Sequence, residues 1–120
     1  MQDASARVLH FDKHEGYVEY QIQISVGELD WKIRRRFNDF LNLDHQLRRD
    51  GYDLPSSLPP KSMFDRFNED FLRDRMEKLD IWLCQTIEDV PIVSSQALSD
   101  FLEWGARRRE FELLERLEGE

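Results

Sequence analysis

The sequence predicts an α+β fold in which a three-stranded antiparallel β-meander packs against three to four helices. Apolar and polar residues alternate over residues 18–26, which is typical of a strand with one buried face. Large apolar residues then recur every three or four positions over residues 72–87, which indicates an amphipathic helix. Three of the four prolines lie in 54–60, which predicts an extended, proline-rich loop between the first two helices.

The length of 120 residues and the 40% hydrophobic fraction fit one domain with a real core. No apolar run approaches the ~20 residues that cross a bilayer, and the N-terminal residues do not predict a signal peptide. Cys84 is the only cysteine, and we expect it to be a small core residue in a reducing compartment. The formal net charge of -8 disfavours nucleic acid as a partner. Salt screens charge beyond roughly 8 Å, so a local basic pocket can still operate on this acidic chain.

The strands are predicted from alternation and turn residues. Residues 8–11 form a short first strand, residues 18–26 the second and residues 29–33 the third. A polar interval at 12–16 and the pair Gly27-Glu28 link them. Short links between consecutive strands favour an antiparallel meander.

Helical spacing begins at Phe37, and we expect Asn38 or Asp39 to cap a helix that ends near residue 50. A longer helix is predicted over 68–87, and Ser94 or Ser95 is expected to cap the next. The domain is predicted to cover residues 1–104, and residues 105–120 to form a helical extension of the same domain. The arginines at 107–109 lie among glutamates and are interpreted as a solvated face.

A basic stretch joins the third strand to the first helix. Lys32, Arg34, Arg35 and Arg36 fall within five positions, immediately before Phe37. Guanidinium groups bind phosphate through paired hydrogen bonds, and a helix N-terminus adds free N–H groups. Arg36 is best placed to share an anion with the helix, whereas Arg35 faces the other side of the strand. The alternative is a strand edge kept soluble by its charge.

Three segments carry a resemblance to a known family: residues 35–40 (Arg-Arg-Phe-Asn-Asp-Phe), 58–61 (Leu-Pro-Pro-Lys) and 75–79 (Arg-Met-Glu-Lys-Leu). The order of these segments along the predicted strands, loop and helices resembles the phox-homology (PX) domain over about residues 8–104. The resemblance implies a phosphoinositide-binding, membrane-targeting module. Its expected ligand is phosphatidylinositol 3-phosphate, and its expected location is cytoplasmic, peripheral on endosomal membranes.

The resemblance also implies a role for individual residues. Arg36 matches the arginine that pairs with the 3-phosphate, and Phe37 matches the aromatic residue, usually tyrosine, that supports the inositol ring. Lys61 matches the lysine that reaches the 1-phosphate. Arg75 matches the arginine that hydrogen-bonds the 4- and 5-hydroxyls. From helical spacing, Arg75 lies at the edge of the apolar stripe, where its head is expected to be exposed.

Two further pairs are secondary candidates. Arg35 and Asn38 are assigned to the periphery of the pocket. Met63 and Phe64 follow Lys61 and are assigned to a loop that inserts into the membrane, with Met63 favoured. The alternative is that both fold back into the core, which is the stronger expectation for Phe64.

A second functional hypothesis is a protein-interaction domain with a vestigial lipid pocket, which dimerises through its C-terminal helix. An enzyme is disfavoured, and neither a cofactor nor a metal is expected. The three histidines show no metal-ligand spacing, Cys84 has no positioned base, and nucleotide-binding and hydrolase fingerprints do not occur.

Overall fold

The computed structural model describes residues 3–61 and 67–119. Within these residues the elements are, in order, β1 (Ala4–His14), β2 (Tyr17–Val26), β3 (Leu29–Arg36), α1 (Phe37–Arg49), α2 (Glu69–Asp89), α3 (Gln96–Leu102) and α4 (Trp104–Glu118). The predicted α+β fold is confirmed. The proline-rich segment runs without regular structure between α1 and α2, as expected.

The sheet has the order β1-β2-β3, and both pairings are antiparallel. Two-residue turns join the strands, and each contains a glycine at positive φ, Gly16 at 87° and Gly27 at 60°. The second turn sets Val26 opposite Leu29, and the register then places Glu19 opposite Arg36. β1 is longer than predicted because residues 4–7 and 12–14 also pair with β2, and the pairing is interrupted by a bulge between Val8 and His10.

Helix α1 begins two or three residues earlier than the expected caps imply. Arg36 occupies the N-cap position, and its backbone N–H donates to the Asp39 carboxylate at 2.7 Å. Asn38 and Asp39 therefore lie inside the first turn and do not occupy the predicted cap position. The Asn68 side chain caps α2, and Ser95, one of the two predicted caps, accepts from the backbone N–H of Leu98.

The core lies between the inner face of the sheet and helices α1, α2 and α3. Phe40 is at its centre and contacts the rings of Tyr20, Trp82 and Phe101 with centroids 5.1–6.4 Å apart. Cys84, predicted to be a core residue, is only half-buried, and its thiol donates to the carbonyl of Ala6. No helix among the described residues is long and apolar enough to span a membrane.

Helix α4 packs against the β2–β3 turn. Trp104 lies against Trp31, and Phe111 lies against Trp104, with ring centroids 6.1 and 5.5 Å apart. Phe111 is buried, and its Cε2 would lie 3.0 Å from a Cβ added to Gly27. Arg107, predicted to be part of a solvated face, is half-buried and lies 5.9 Å from the Trp31 ring centroid.

Candidate functional site

A cavity of about 160 Å³ opens where four parts of the chain meet. These are the start of β2, the β3–α1 junction, the end of the proline-rich loop and the N-terminal half of α2. The polar and aromatic side chains that line it are Tyr17, Tyr20, Arg36, Phe37, Asn38, Lys61, Phe67 and Arg75. The volume is below the ~300–1,000 Å³ of pockets for drug-sized ligands, so the cavity is suited to a small ligand.

Arg75 forms one wall of this cavity. Its guanidinium carbon lies 3.8 Å from the ring centroid of Phe37 and 4.6 Å from that of Phe71. Its Nη2 donates to the carbonyl of Pro60 at 3.1 Å. The residue is 7% exposed, so the expectation that its head would be exposed is wrong. The two aromatic rings and the loop carbonyl draw the guanidinium inward.

Burial lowers the pKa of Arg75 below its ordinary value, because the charged form loses hydration. The neighbouring Tyr20 hydroxyl acts in the opposite direction. Burial likewise raises the pKa of Tyr20, and the charge of Arg75 opposes that rise. Within the described residues, neither the Tyr20 hydroxyl nor the Arg75 Nε has a hydrogen-bond partner, although both atoms are buried.

Arg36 forms a second wall at the end of β3. Its side chain is exposed, and its guanidinium carbon lies 4.6 Å from the ring centroid of Tyr17. Because Arg36 is also the N-cap of α1, its charge adds to the positive end of the helix dipole. The geometry therefore concentrates positive potential where β3 becomes α1.

Lys61 completes the basic lining from the loop side. Its side chain is exposed, and it follows Pro60, whose carbonyl accepts from Arg75. Proline has few backbone conformations, so this hydrogen bond and the preceding Pro59-Pro60 pair restrict the position of Lys61. The loop and α2 are thus held together at the edge of the cavity.

None of the three cations has a carboxylate partner among residues 3–61 and 67–119. The ion pairs of this part of the chain use other cations, including Arg34 with Asp12 and Lys13 with Glu69. Aromatic faces and a backbone carbonyl contact the two arginines of the cavity instead. Within the described part of the chain no carboxylate offsets the positive charge of the cavity, although the whole chain carries -8, so these side chains favour an anion.

The structure brings together all four predicted lipid-binding residues, Arg36, Phe37, Lys61 and Arg75, and Asn38 also lines the cavity. Arg35, assigned to the periphery of the pocket, does not line this cavity. Its Nε and Nη2 donate to the carbonyl of Phe101 at 3.0 and 2.7 Å, and Nη2 also pairs with Glu103. Arg35 projects to the core side of the sheet and fixes the end of α3. Met63 and Phe64 lie outside the described residues.

Sequence reasoning missed Tyr17 and the hydroxyl of Tyr20. A signal for Tyr17 was present in the sequence. The two-residue turn at Gly27-Glu28 fixes Glu19 opposite Arg36, and Tyr17 is two residues from Glu19 on the same face of β2. Tyr17 is therefore a diagonal neighbour of Arg36. Alternation places Tyr20 on the apolar face of β2, but it does not reveal that the buried hydroxyl borders a cavity.

The chain is a small α+β module with a basic, aromatic-lined cavity. The PX domain family model matches residues 25–105, and the chain belongs to this family. PX domains are non-catalytic modules that generally bind phosphoinositides and target membranes.

Two curated relatives show the extent of the similarity. Human sorting nexin-16 is 34% identical over 88 residues, which cover 72% of this chain and 26% of that protein. The rat PX domain-containing protein kinase-like protein is 29% identical over 92 residues, covering 74% of this chain and 16% of that protein. The chain thus matches about a quarter or less of either relative.

Solved structures share the fold. A designed CISK-PX domain superposes with a TM-score of 0.72 at 23% identity, covering 81% of this chain and 96% of that chain. The mouse SNX19 PX domain with bound sulphate ion gives 0.60 at 21% identity, covering 86% and 98%. At these identities the likeness shows a common architecture.

Proposed function

We propose that this domain recognises phosphatidylinositol 3-phosphate and recruits its protein to the cytoplasmic face of endosomal membranes. The observation that carries the proposal is the convergence of Arg36, Lys61 and Arg75 on one cavity. They come from a strand end, a loop and a helix, and no described carboxylate neutralises them. A head group with two phosphates requires separated cations of this kind.

Each cation suits one part of the head group. Arg36 takes the 3-phosphate, because its planar guanidinium forms paired charge-assisted hydrogen bonds worth roughly 1.5–3 kcal/mol each. Lys61 is exposed at the rim and takes the 1-phosphate, where a flexible point charge is suitable. Arg75 takes the 4- and 5-hydroxyls. Asn38, in the first turn of α1, borders the same site.

The surroundings of Arg75 favour a ligand without further phosphates. Two aromatic rings and the Pro60 carbonyl restrict its guanidinium, so it cannot move freely to accommodate a bulky group. Phe37 supports Arg75 with its ring face in this structure. We propose that the cavity-facing part of the same ring also contacts the inositol ring.

We further propose that the loop containing Met63 and Phe64 inserts into the bilayer beside the head group, with Met63 as the favoured inserting residue. The support is their place in the sequence, since only Ser62 separates them from Lys61, which lines the cavity. Burying each side chain in lipid would add roughly 1.5–3 kcal/mol.

A liposome sedimentation assay tests the proposed function. Vesicles of phosphatidylcholine with 3-, 4- or 5-monophosphorylated phosphatidylinositol are compared with plain phosphatidylcholine. We expect selective retention on the 3-phosphate vesicles and loss of retention, at least tenfold, for Arg36→Ala with an unchanged circular dichroism spectrum. Arg34→Ala is the matched control, because Arg34 lies two residues away on β3 and pairs with Asp12. Equal retention on plain vesicles would refute the proposal.

A second candidate function is contact with a protein partner through α4, including a second copy of this chain. Leu113 and Leu117 favour it, since they are 54% and 57% exposed and lie four residues apart. Size-exclusion chromatography with light scattering tests it. A concentration-dependent dimer that disappears in Leu113→Glu would support this candidate. A monomer at all concentrations would rule out self-association through α4.

A further inference from the structure

The tip of the β1–β2 hairpin lies beside the first arginine of the cavity. Tyr17 is the first residue of β2 and lines the cavity. Its ring stacks on that of His14 with centroids 4.7 Å apart and an interplanar angle of 20°. The guanidinium carbon of Arg36 lies 4.6 Å from the centroid of the same ring. Tyr17 thus connects the hairpin tip to Arg36.

Arg36 has an obvious alternative partner that it does not use. Glu19 lies directly opposite Arg36 in the β2–β3 pairing, and opposite charges in such positions normally attract. Instead, the Glu19 carboxylate lies 2.9 Å from Nε2 of His14. Within the described residues, no carboxylate forms an ion pair with Arg36. An ion pair with Glu19 would neutralise the charge that an anionic ligand needs.

We propose that Tyr17 is a positioning residue of the phosphate site, acting through Arg36. This inference rests on the proposed function. The aromatic face holds one side of the planar guanidinium and leaves the N–H groups at its edge free to donate to a phosphate. An exposed arginine otherwise loses much rotamer freedom on binding, and the ring removes part of that cost in advance. The hydroxyl of Tyr17 is not required.

The test measures affinity for a soluble short-chain phosphatidylinositol 3-phosphate by calorimetry. Tyr17→Leu removes the aromatic face, and we expect its affinity to fall roughly three- to tenfold. Tyr17→Phe keeps the face and is the matched control, with an expected change of less than about twofold. In an Arg36→Lys background, Tyr17→Leu should have a smaller effect, since lysine lacks the planar group that stacks on the ring.

A spectroscopic measurement on the ligand-free protein separates positioning from a general structural role. The NMR resonance of the Arg36 Nε–H group should be shifted by the Tyr17 ring current in wild type and in Tyr17→Phe. It should move toward its random-coil position in Tyr17→Leu, while backbone amide resonances away from the hairpin tip stay unchanged.

The outcomes are distinguishable. Wild-type affinity in Tyr17→Leu would overturn the inference and leave the proposed function intact. An equal loss in Tyr17→Phe and Tyr17→Leu would also overturn it, because the hydroxyl would then be the important group. Failure of the wild-type protein to bind any phosphoinositide would defeat the proposed function itself.

Discussion

Arg36 and Arg75 contact aromatic rings, which position a guanidinium without neutralising its positive charge. A carboxylate would position a guanidinium firmly but would also neutralise it. The rings of Tyr17, Phe37 and Phe71 position the two arginines through cation–π contacts, worth roughly 0.5–2 kcal/mol each. The positive charge remains available. Removing the hydration of Arg75 is unfavourable, and the rings together with the Pro60 carbonyl offset part of that penalty.

Tyr20 provides a residue-level prediction about stability. It is 1% exposed, and its buried hydroxyl has no hydrogen-bond partner within the described residues. Tyr20→Phe removes this hydroxyl and keeps the ring, so we expect the free energy of unfolding to stay constant or rise by about 1–3 kcal/mol. Urea denaturation measures the change. Tyr52→Phe, at a half-exposed position, is the neutral control. A clear loss of stability in Tyr20→Phe would show that the hydroxyl is hydrogen-bonded in solution.

The sequence predicted which residues form the cavity better than it predicted their surroundings. The three matched segments identified Arg36, Lys61 and Arg75. Helical periodicity places Arg75 beside the apolar stripe, but it does not reveal that Phe37 and Phe71 enclose the guanidinium. Periodicity also gave the correct face for Arg35. Periodicity does not reveal that the carbonyl of Phe101, distant in sequence, accepts from the Arg35 side chain and keeps it away from the cavity lining.

At the level of elements, the docking of α4 on the β2–β3 turn depends on Gly27. Its φ of 60° is strained for other residues, and an added Cβ would lie 3.0 Å from the Phe111 ring. We expect Gly27→Ala to destabilise the fold by at least about 1–2 kcal/mol, measured by thermal or urea denaturation. Gly105→Ala is the matched control, since that site in α4 is open and alanine favours helix by up to about 1 kcal/mol. Equal effects of the two substitutions would contradict this account of the docking.

The far end of α4 supplies a pH-dependent prediction. A hydrogen bond with the Glu28 carboxyl and the repulsion between the two carboxylates raise the pKa of Glu118. A raised pKa in the folded state means that the ionised form is the less favourable one, so this repulsion is present at neutral pH and is relieved as pH falls through the raised pKa.

We therefore expect Glu28→Gln to raise the melting temperature at about pH 7 and to have a smaller effect near pH 3.5, where protonation of the Glu118 carboxyl has relieved the repulsion. Differential scanning calorimetry at the two pH values measures this. Glu77→Gln, an exposed site on α2, controls for the general change in net charge. A stabilisation that is the same at both pH values would contradict the proposed repulsion.

Elements with a strong periodic pattern were the most predictable. Alternation defined β2 almost completely, and four-residue apolar spacing defined most of α2. The length of β1 was underestimated because residues 4–7 and 12–14, which extend the predicted strand at both ends, carry few large apolar side chains but still pair with β2. The cap of α1 was misplaced by two or three residues. Cap preferences depend on residue type alone, and they do not show that β3 runs directly into α1 with Arg36 between them.

At the scale of the whole molecule, the basic cavity and the net charge of -8 act over different distances. The cavity can attract an anion at contact, whereas the net charge acts at long range. Exposed charges beyond roughly 8 Å are screened at physiological salt, so the acidic remainder opposes membrane approach only weakly. Convergence of residues 36, 61 and 75 could not be derived from spacing in the chain. The resemblance supplied that expectation, and the arrangement of β3, the proline-rich loop and α2 explains it physically.

The central claim is that one head group occupies the cavity formed by these three elements. The most direct measurement is a ¹H–¹⁵N NMR titration with soluble short-chain phosphatidylinositol 3-phosphate. The account predicts saturable shifts centred on Tyr17, Arg36, Lys61 and Arg75, absent with the unphosphorylated lipid. Shifts confined to another surface, such as α4, with these four residues unchanged, would contradict it.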